Sequence, residues 1–154
     1  RMTDDSKFVF QWVIDNATAK FATGKVESEI FYKGGFEWTV ATERTAEGRT
    51  VFHLKCASVH SRLWKCDADV GMTSYHVTGA RVDAWPKAER ACFNENTCNW
   101  ILKTAWNWSP ITGPNCLLRN DKVIFELHVN IISSERLDSS LQFGVLPKSA
   151  RINC

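Results

Sequence analysis

The side chains of this 154-residue chain most able to do chemistry are six cysteines, four histidines and a tryptophan that follows an amide. The cysteines are Cys56, Cys66, Cys92, Cys98, Cys116 and Cys154. A cysteine nucleophile needs a base within hydrogen-bond reach. His53 and His128 fall on the outer faces of predicted strands, and His60 lies in a loop. Cys56 and Cys66 point the other way. Cys92 and Cys98 have five residues between them, wider than the usual two to four of a zinc-binding pair. The chain carries no nucleophile elbow, phosphate loop or paired-carboxylate motif. A non-enzyme with no metal and no cofactor is therefore expected. The chemistry left over is recognition. Asn99-Trp100 sets an amide, which both donates and accepts, beside a large amphipathic ring. Trp100 suits a binding groove or a core equally well.

Bulk properties narrow the partner. The net charge of +2 is too small to argue for nucleic acid. There is no run of eighteen apolar residues, so no membrane span is expected. RMTDDSKF at the start has no apolar stretch of the kind a signal peptide needs, so an intracellular protein (cytoplasm or nucleus) is expected. Reduced thiols follow from that. Cys56 and Cys66 read as small hydrophobes on apolar strand faces, and Cys92, Cys98 and Cys154 as surface thiols. Asn16-Ala17-Thr18 and Asn107-Trp108-Ser109 match glycosylation sequons, which carry no meaning in the cytosol.

The elements that must position these residues read as strands. Phe8, Phe10, Trp12 and Ile14 alternate with Val9, Gln11 and Val13, which predicts a strand with one buried face. Val26 to Tyr32 reads as the next strand, and Gly34-Gly35 as a turn into a third that carries Phe36, Trp38 and Val40 on one face. Glu47-Gly48 is the next turn. A hairpin is predicted around Ser61, with Cys56 facing Cys66, Leu54 facing Ala68 and Phe52 facing Val70. Tyr75 to Val82 is a further strand, stopped by Trp85-Pro86. Lys87 to Cys98 reads as a polar loop. Asn99 to Leu102 is a short apolar patch, and Trp106 and Trp108 fall in a loop ending at Pro110. Asn120-Asp121 opens the clearest strand, in which Val123, Phe125, Leu127, Val129 and Ile131 share a face. Trp12, Trp38 and Trp64 belong to the core set. No sustained helical period is present, so the expected fold is all-β, an antiparallel β-sandwich of about eight strands. Residues 1–7 read as an N-terminal tail, 8–132 as the sandwich, and 133–154 as a tail or the start of a linker to a further module.

Four motifs in order resemble those of the MATH domain (meprin and TRAF-C homology). They are Phe10-Gln11-Trp12-Val13-Ile14, Ser28-Glu29-Ile30-Phe31, Gly35-Phe36-Glu37-Trp38, and Asn120 through Glu126. The resemblance spans roughly residues 8 to 132, and the tryptophan content and divergent loops are similar to those of nematode members. It implies an eight-stranded sandwich that binds short extended peptides in a shallow groove, as an adaptor of ubiquitin-ligase or deubiquitinase type. It also implies a site. The deubiquitinase branch has Asp-Trp-Gly-Phe in its peptide-binding strand, and this chain has Asn99, Trp100, Ile101 and Leu102 there. The branch's groove arginine corresponds to Arg44. The expected partner is a protein engaged through a short linear peptide, and the isolated domain is expected to be monomeric. The alternative is a scaffold domain that recruits a folded partner through a sandwich face.

Overall fold

The computed structural model describes residues 6–47, 50–75, 81–82, 88–102 and 120–138. Two antiparallel sheets of five strands each face one another. The first holds β1 (Lys7–Asp15), β10 (Lys122–Asp138), β6 (Ser61–Tyr75), β7 (Arg81–Val82) and β8 (Glu89–Asn94). Its order is β1-β10-β6-β7, and β8 pairs with β6 as well. The second holds β2 (Lys25–Glu27), β3 (Phe31–Lys33), β4 (Phe36–Arg44), β5 (Thr50–Ala57) and β9 (Asn99–Leu102). Its order is β2-β4-β5-β9, with β3 also on β4. A single helical turn, α1 (Ala17–Phe21), follows β1.

Alternation explains both the strands and the layering. In β1, Phe8, Trp12 and Ile14 are buried and Val9, Gln11 and Val13 are exposed. In β10, Val123, Phe125, Leu127 and Val129 are buried at odd positions. Aromatic rings join the layers. Trp38 meets Phe93 edge-on at 5.8 Å and Phe8 at 5.5 Å, and Phe52 meets Phe125 at 5.2 Å. Such pairs add about 0.5–1.5 kcal/mol each beyond their buried area. Trp12, Trp38 and Trp64 all lie in this core.

Gly34 and Gly35 form the two-residue connection between β3 and β4, with φ of 63° and 87°. Positive φ at both positions is the primed turn that matches strand twist, and it favours glycine. Gly35 has a second constraint. A Cβ there would run into the Arg136 guanidinium, which donates from Nη1 to Gly35 O at 3.2 Å and lies over the Phe36 ring at 5.6 Å.

Several sequence expectations are corrected. β5 and β6 do not form a hairpin: β5 pairs with β4 and β9, and β6 with β10, β7 and β8. Cys56 and Cys66 do meet, but across the core rather than along a ladder, with a side-chain hydrogen bond between them. Burial, and then that contact, pushes the Cys56 thiol well above its ordinary range. The predicted strand Val26–Tyr32 is two strands. Between them Ser28 bonds the β4 backbone, its N–H donating to Val40 O at 2.8 Å and its Oγ accepting from Val40 N at 3.0 Å. The stretch read as a loop before Cys98 contains β8, where Ala91 and Phe93 point into the core. Cys98 is not a surface thiol. It is 4% exposed and disulfide-bonded, whereas Cys56, Cys66 and Cys92 are free. The expected strand Tyr75–Val82 is instead the end of β6 and a separate strand, β7, paired antiparallel with it through Tyr75 and Arg81, while residues 76–80, Trp85-Pro86 and the loop with Trp106, Asn107 and Trp108 lie outside the described residues.

β10 continues to Asp138, past the point where alternation fades in the sequence. A bulge between Ile131 and Ser133 shifts the register, so that Ser134 faces Cys66 and Arg136 faces Trp64. The core-side positions after the bulge are therefore polar, and the apolar period disappears.

The α1 turn is tied to the turn that opens β10. Asp121 Oδ1 accepts from Thr18 N–H at 2.9 Å and from Thr18 Oγ1 at 2.7 Å. The backbone bond, and then the hydroxyl, hold the Asp121 carboxyl below its usual range. A depressed folded-state pKa gives stability that is complete above the unfolded value, about 3.9, and is lost as pH falls through the folded value. Thermal melts from neutral pH downward are expected to show wild type above Asp121→Ala at neutral pH. The gap should narrow below about pH 4 to the part that does not titrate, the strain of alanine at the positive φ of 58°. A gap that stays constant into acid would remove this contact from the pH dependence.

Candidate functional site

β9 is the end strand of the second sheet, and among the described residues it pairs only with β5. Its ladder has a definite phase. Cys56 N donates to Cys98 O at 2.9 Å, just ahead of the strand. The register continues through Asn99 with Lys55, Trp100 with Leu54, Ile101 with His53 and Leu102 with Phe52. Antiparallel pairs alternate between hydrogen-bonded and open. Trp100 and Leu102 therefore bond β5 through their main chains. The N–H and C=O of Asn99 and Ile101 point away from β5, along the margin that has no partner among the described residues. An exposed row of this kind is a template for another strand.

The side chains divide by the same parity. Leu102 is buried at 2% exposure and Trp100 is half-buried against the core. The Trp100 indole Nε1 donates to Glu89 Oε1 at 2.9 Å. Because Glu89 begins β8 in the other sheet, this bond ties the two layers together at the open side of the sandwich. Trp100 is thus neither fully core nor free: one edge packs inward and the polar tip is held. Ile101 is 54% exposed on the outer face, an apolar group beside main-chain donors and acceptors that no described strand pairs.

Asn99 lies on that outer face within a polar chain crossing three strands. Its Nδ2 is 3.2 Å from His53 Nδ1 on β5, and His53 Nε2 is 3.2 Å from Glu43 Oε1 on β4. Asn99 Oδ1 is buried and has no hydrogen-bond partner among the described residues. Leaving such an acceptor unmade costs about 1–3 kcal/mol. Alongside, Lys55 Nζ pairs with Glu27 Oε2 at 3.4 Å.

Of the residues singled out from the sequence, the fold brings Asn99, Trp100, Ile101 and Leu102 onto one edge strand. It leaves Arg44 apart. Arg44 ends β4 opposite Thr50, its backbone N–H donating to Gly24 O at 2.9 Å and its side chain exposed. β5 lies between β4 and β9, so Arg44 stands two strand spacings, roughly 10 Å, from the edge. Sequence reasoning missed Glu89, His53 and Glu43. The Ala91/Phe93 alternation was a signal for β8 and hence for Glu89. His53 was placed correctly on an outer face, but its neighbours there come from β4 and β9, which no local pattern reveals.

The thiols of Cys56 and Cys92 are both shifted away from the thiolate form. Cys92 is exposed on the outer face of the first sheet, where partial burial and then the Asp67 carboxylate raise its pKa, and thiolate is the reactive form. No cluster with metal-ligating geometry occurs among the described residues.

This two-sheet sandwich, with its aromatic core, its Gly35-Phe36-Glu37-Trp38 turn and an edge strand, β9, paired on one side among the described residues, defines a β-sandwich domain. The model of the MATH domain matches residues 16–131, and the chain belongs to that family, whose members are protein–protein interaction modules. No curated protein matches the chain.

Proposed function

We propose that the domain binds an extended segment of a partner protein by adding it as a strand alongside β9. The observation that carries this reading is the phase of the β9 ladder, which turns the main-chain groups of Asn99 and Ile101 toward a margin without a partner among the described residues. Strand addition takes affinity from the main chain and specificity from alternate side chains. Trp100 and Leu102 line the inward side of that margin, while Asn99 and Ile101 present the outer side. Arg44 stands too far from the edge to touch the first residues of an added strand, and its place is with a longer ligand that reaches over β5. Within a larger protein the domain serves as an adaptor of ubiquitin-ligase or deubiquitinase type, holding a substrate for a second module.

Ile101→Pro tests the reading with little cost to the fold. Proline removes one N–H, and on an edge strand an N–H that faces outward is not needed by the sheet. Peptides selected from a random display library on the wild-type domain are expected to lose binding at least 10-fold to Ile101→Pro, through the missing ladder bond and the lost apolar contact. The thermal midpoint should hardly move. Undiminished binding by a folded Ile101→Pro variant would place recognition on another surface, such as a sandwich face.

A further inference from the structure

We propose that two copies of this chain pair edge to edge through β1, so that their first sheets join across a two-fold axis at Gln11. This surface lies on the side of the sandwich opposite β9, and the proposal stands apart from the reading of that strand.

β1 is the end strand of the first sheet. It pairs with β10 along all nine of its residues, and among the described residues no strand lies on its far side. Alternate main-chain groups of β1 therefore face that margin. A recess of about 400 Å³ opens beside it, lined by residues 10–14 of β1, residues 26–29 at the edge of the second sheet, and Lys20. Another strand can thus reach the margin. Sheet edges are commonly blunted by charge, proline or shortness. β1 is nine residues long, has no proline, and carries charge only at its two ends, Lys7 and Asp15. On its outer face Val9 is 56% and Val13 41% exposed.

The strand is complementary to itself. In an antiparallel pair centred on Gln11, the outer face sets Val9 against the partner's Val13, Gln11 against the partner's Gln11, and Lys7 against the partner's Asp15. The inner face sets Phe8 against the partner's Ile14 and Phe10 against the partner's Trp12. Apolar residues meet apolar residues, and each end charge meets its opposite, with Cβ atoms about 4.5–5.5 Å apart. Neighbouring registers lose this match. A slip of one residue opposes main-chain groups that face the margin to groups that face β10. A slip of two sets one valine against Gln11 and the other against a charged residue. Asp15 already pairs with Lys122 at 3.5 Å, and the second copy adds a lysine on its other side. The pairing makes roughly eight to ten main-chain hydrogen bonds. It is isologous, so it closes at two copies. In each copy β9 lies at the far side, bonded through Trp100 to Glu89 of β8, and the dimer carries two β9 edges.

Sedimentation equilibrium of the full chain across the micromolar range is expected to show monomer and dimer in exchange. Lys7→Asp opposes acid to acid at both ends of the pairing, and Asp15→Lys opposes base to base. Each is expected to weaken dimerisation about 5- to 30-fold at low salt. Both side chains are exposed, so the circular dichroism of each variant should match wild type. An equimolar mixture of the two variants recreates both ion pairs, and mixed dimers of about wild-type affinity should form. Val13→Lys, which disrupts an apolar contact made twice, should leave only monomer, and Ile101→Pro should leave the dimer unchanged. A wild-type chain that stays monomeric, single variants that dimerise like wild type, or a mixture that gains nothing over its components would overturn the proposal. Loss of the dimer in Ile101→Pro would overturn it too, by moving the contact to β9.

Discussion

Trp38→Ala is expected to lower the unfolding free energy by about 3–5 kcal/mol, the range for deleting a large buried aromatic side chain. Trp38 has no exposed surface and touches the rings of Phe8, Phe36 and Phe93, which come from β1, β4 and β8. Truncation therefore opens a cavity walled by both sheets, and neighbours held on separate ladders cannot close it. The indole also donates from Nε1 to Lys33 O at 2.9 Å, which secures the β3–β4 turn at Gly34-Gly35. Equilibrium denaturation by urea measures the loss. Trp38→Phe should recover part of the packing but none of the bond to Lys33. A loss under about 1 kcal/mol for alanine would mean that the site collapses, contrary to the packing described.

Reduction is the second large perturbation. Cys98 is disulfide-bonded, and it stands immediately before β9, its carbonyl accepting the Cys56 N–H. β9 has four residues and a ladder on one side, so its own hydrogen bonds hold it weakly. The covalent tie fixes where it starts and which main-chain groups face outward. Removal of a native disulfide typically costs about 2–5 kcal/mol. Denaturation with and without reductant is expected to differ by that amount, and Cys98→Ser should equal the reduced protein. Cys56 and Cys66 are free already, so reductant acts through Cys98. Coincident curves would show that the bond contributes nothing to the fold.

What could be read from the sequence, and what could not, follows from the range of each signal. The strands of β1 and the first part of β10 announce themselves because each alternates between core and solvent, and β4 does so because Phe36, Trp38 and Val40 recur at every second position, although most of its residues on both faces are buried. The turn glycines do so because both need positive φ. Pairing is another matter. The apolar sets of β5 and β6 fit each other as a hairpin, yet the same residues fit equally well face to face across a sandwich, and period alone cannot separate the two. Cys56 and Cys66 meet in either case. β8 was hidden because Arg90, Cys92 and Asn94 interleave its two inward apolar residues. The polar half of the candidate site was hidden for a related reason. Asn99, His53 and Glu43 come together only when β9, β5 and β4 lie side by side, and the distances along the chain carry no mark of it. Asn99 through Leu102 could be found because four neighbouring residues form one strand.

Amide hydrogen exchange by NMR, with and without a library-selected peptide, tests strand addition most directly. In the free domain the Trp100 and Leu102 amides should be protected by β5, and those of Asn99 and Ile101 should exchange quickly. With peptide bound, Asn99 and Ile101 are expected to become protected while Trp100 and Leu102 hold their values. Protection that appears instead along β1 or over a sheet face, with Asn99 and Ile101 still exchanging quickly, would contradict docking at the β9 edge.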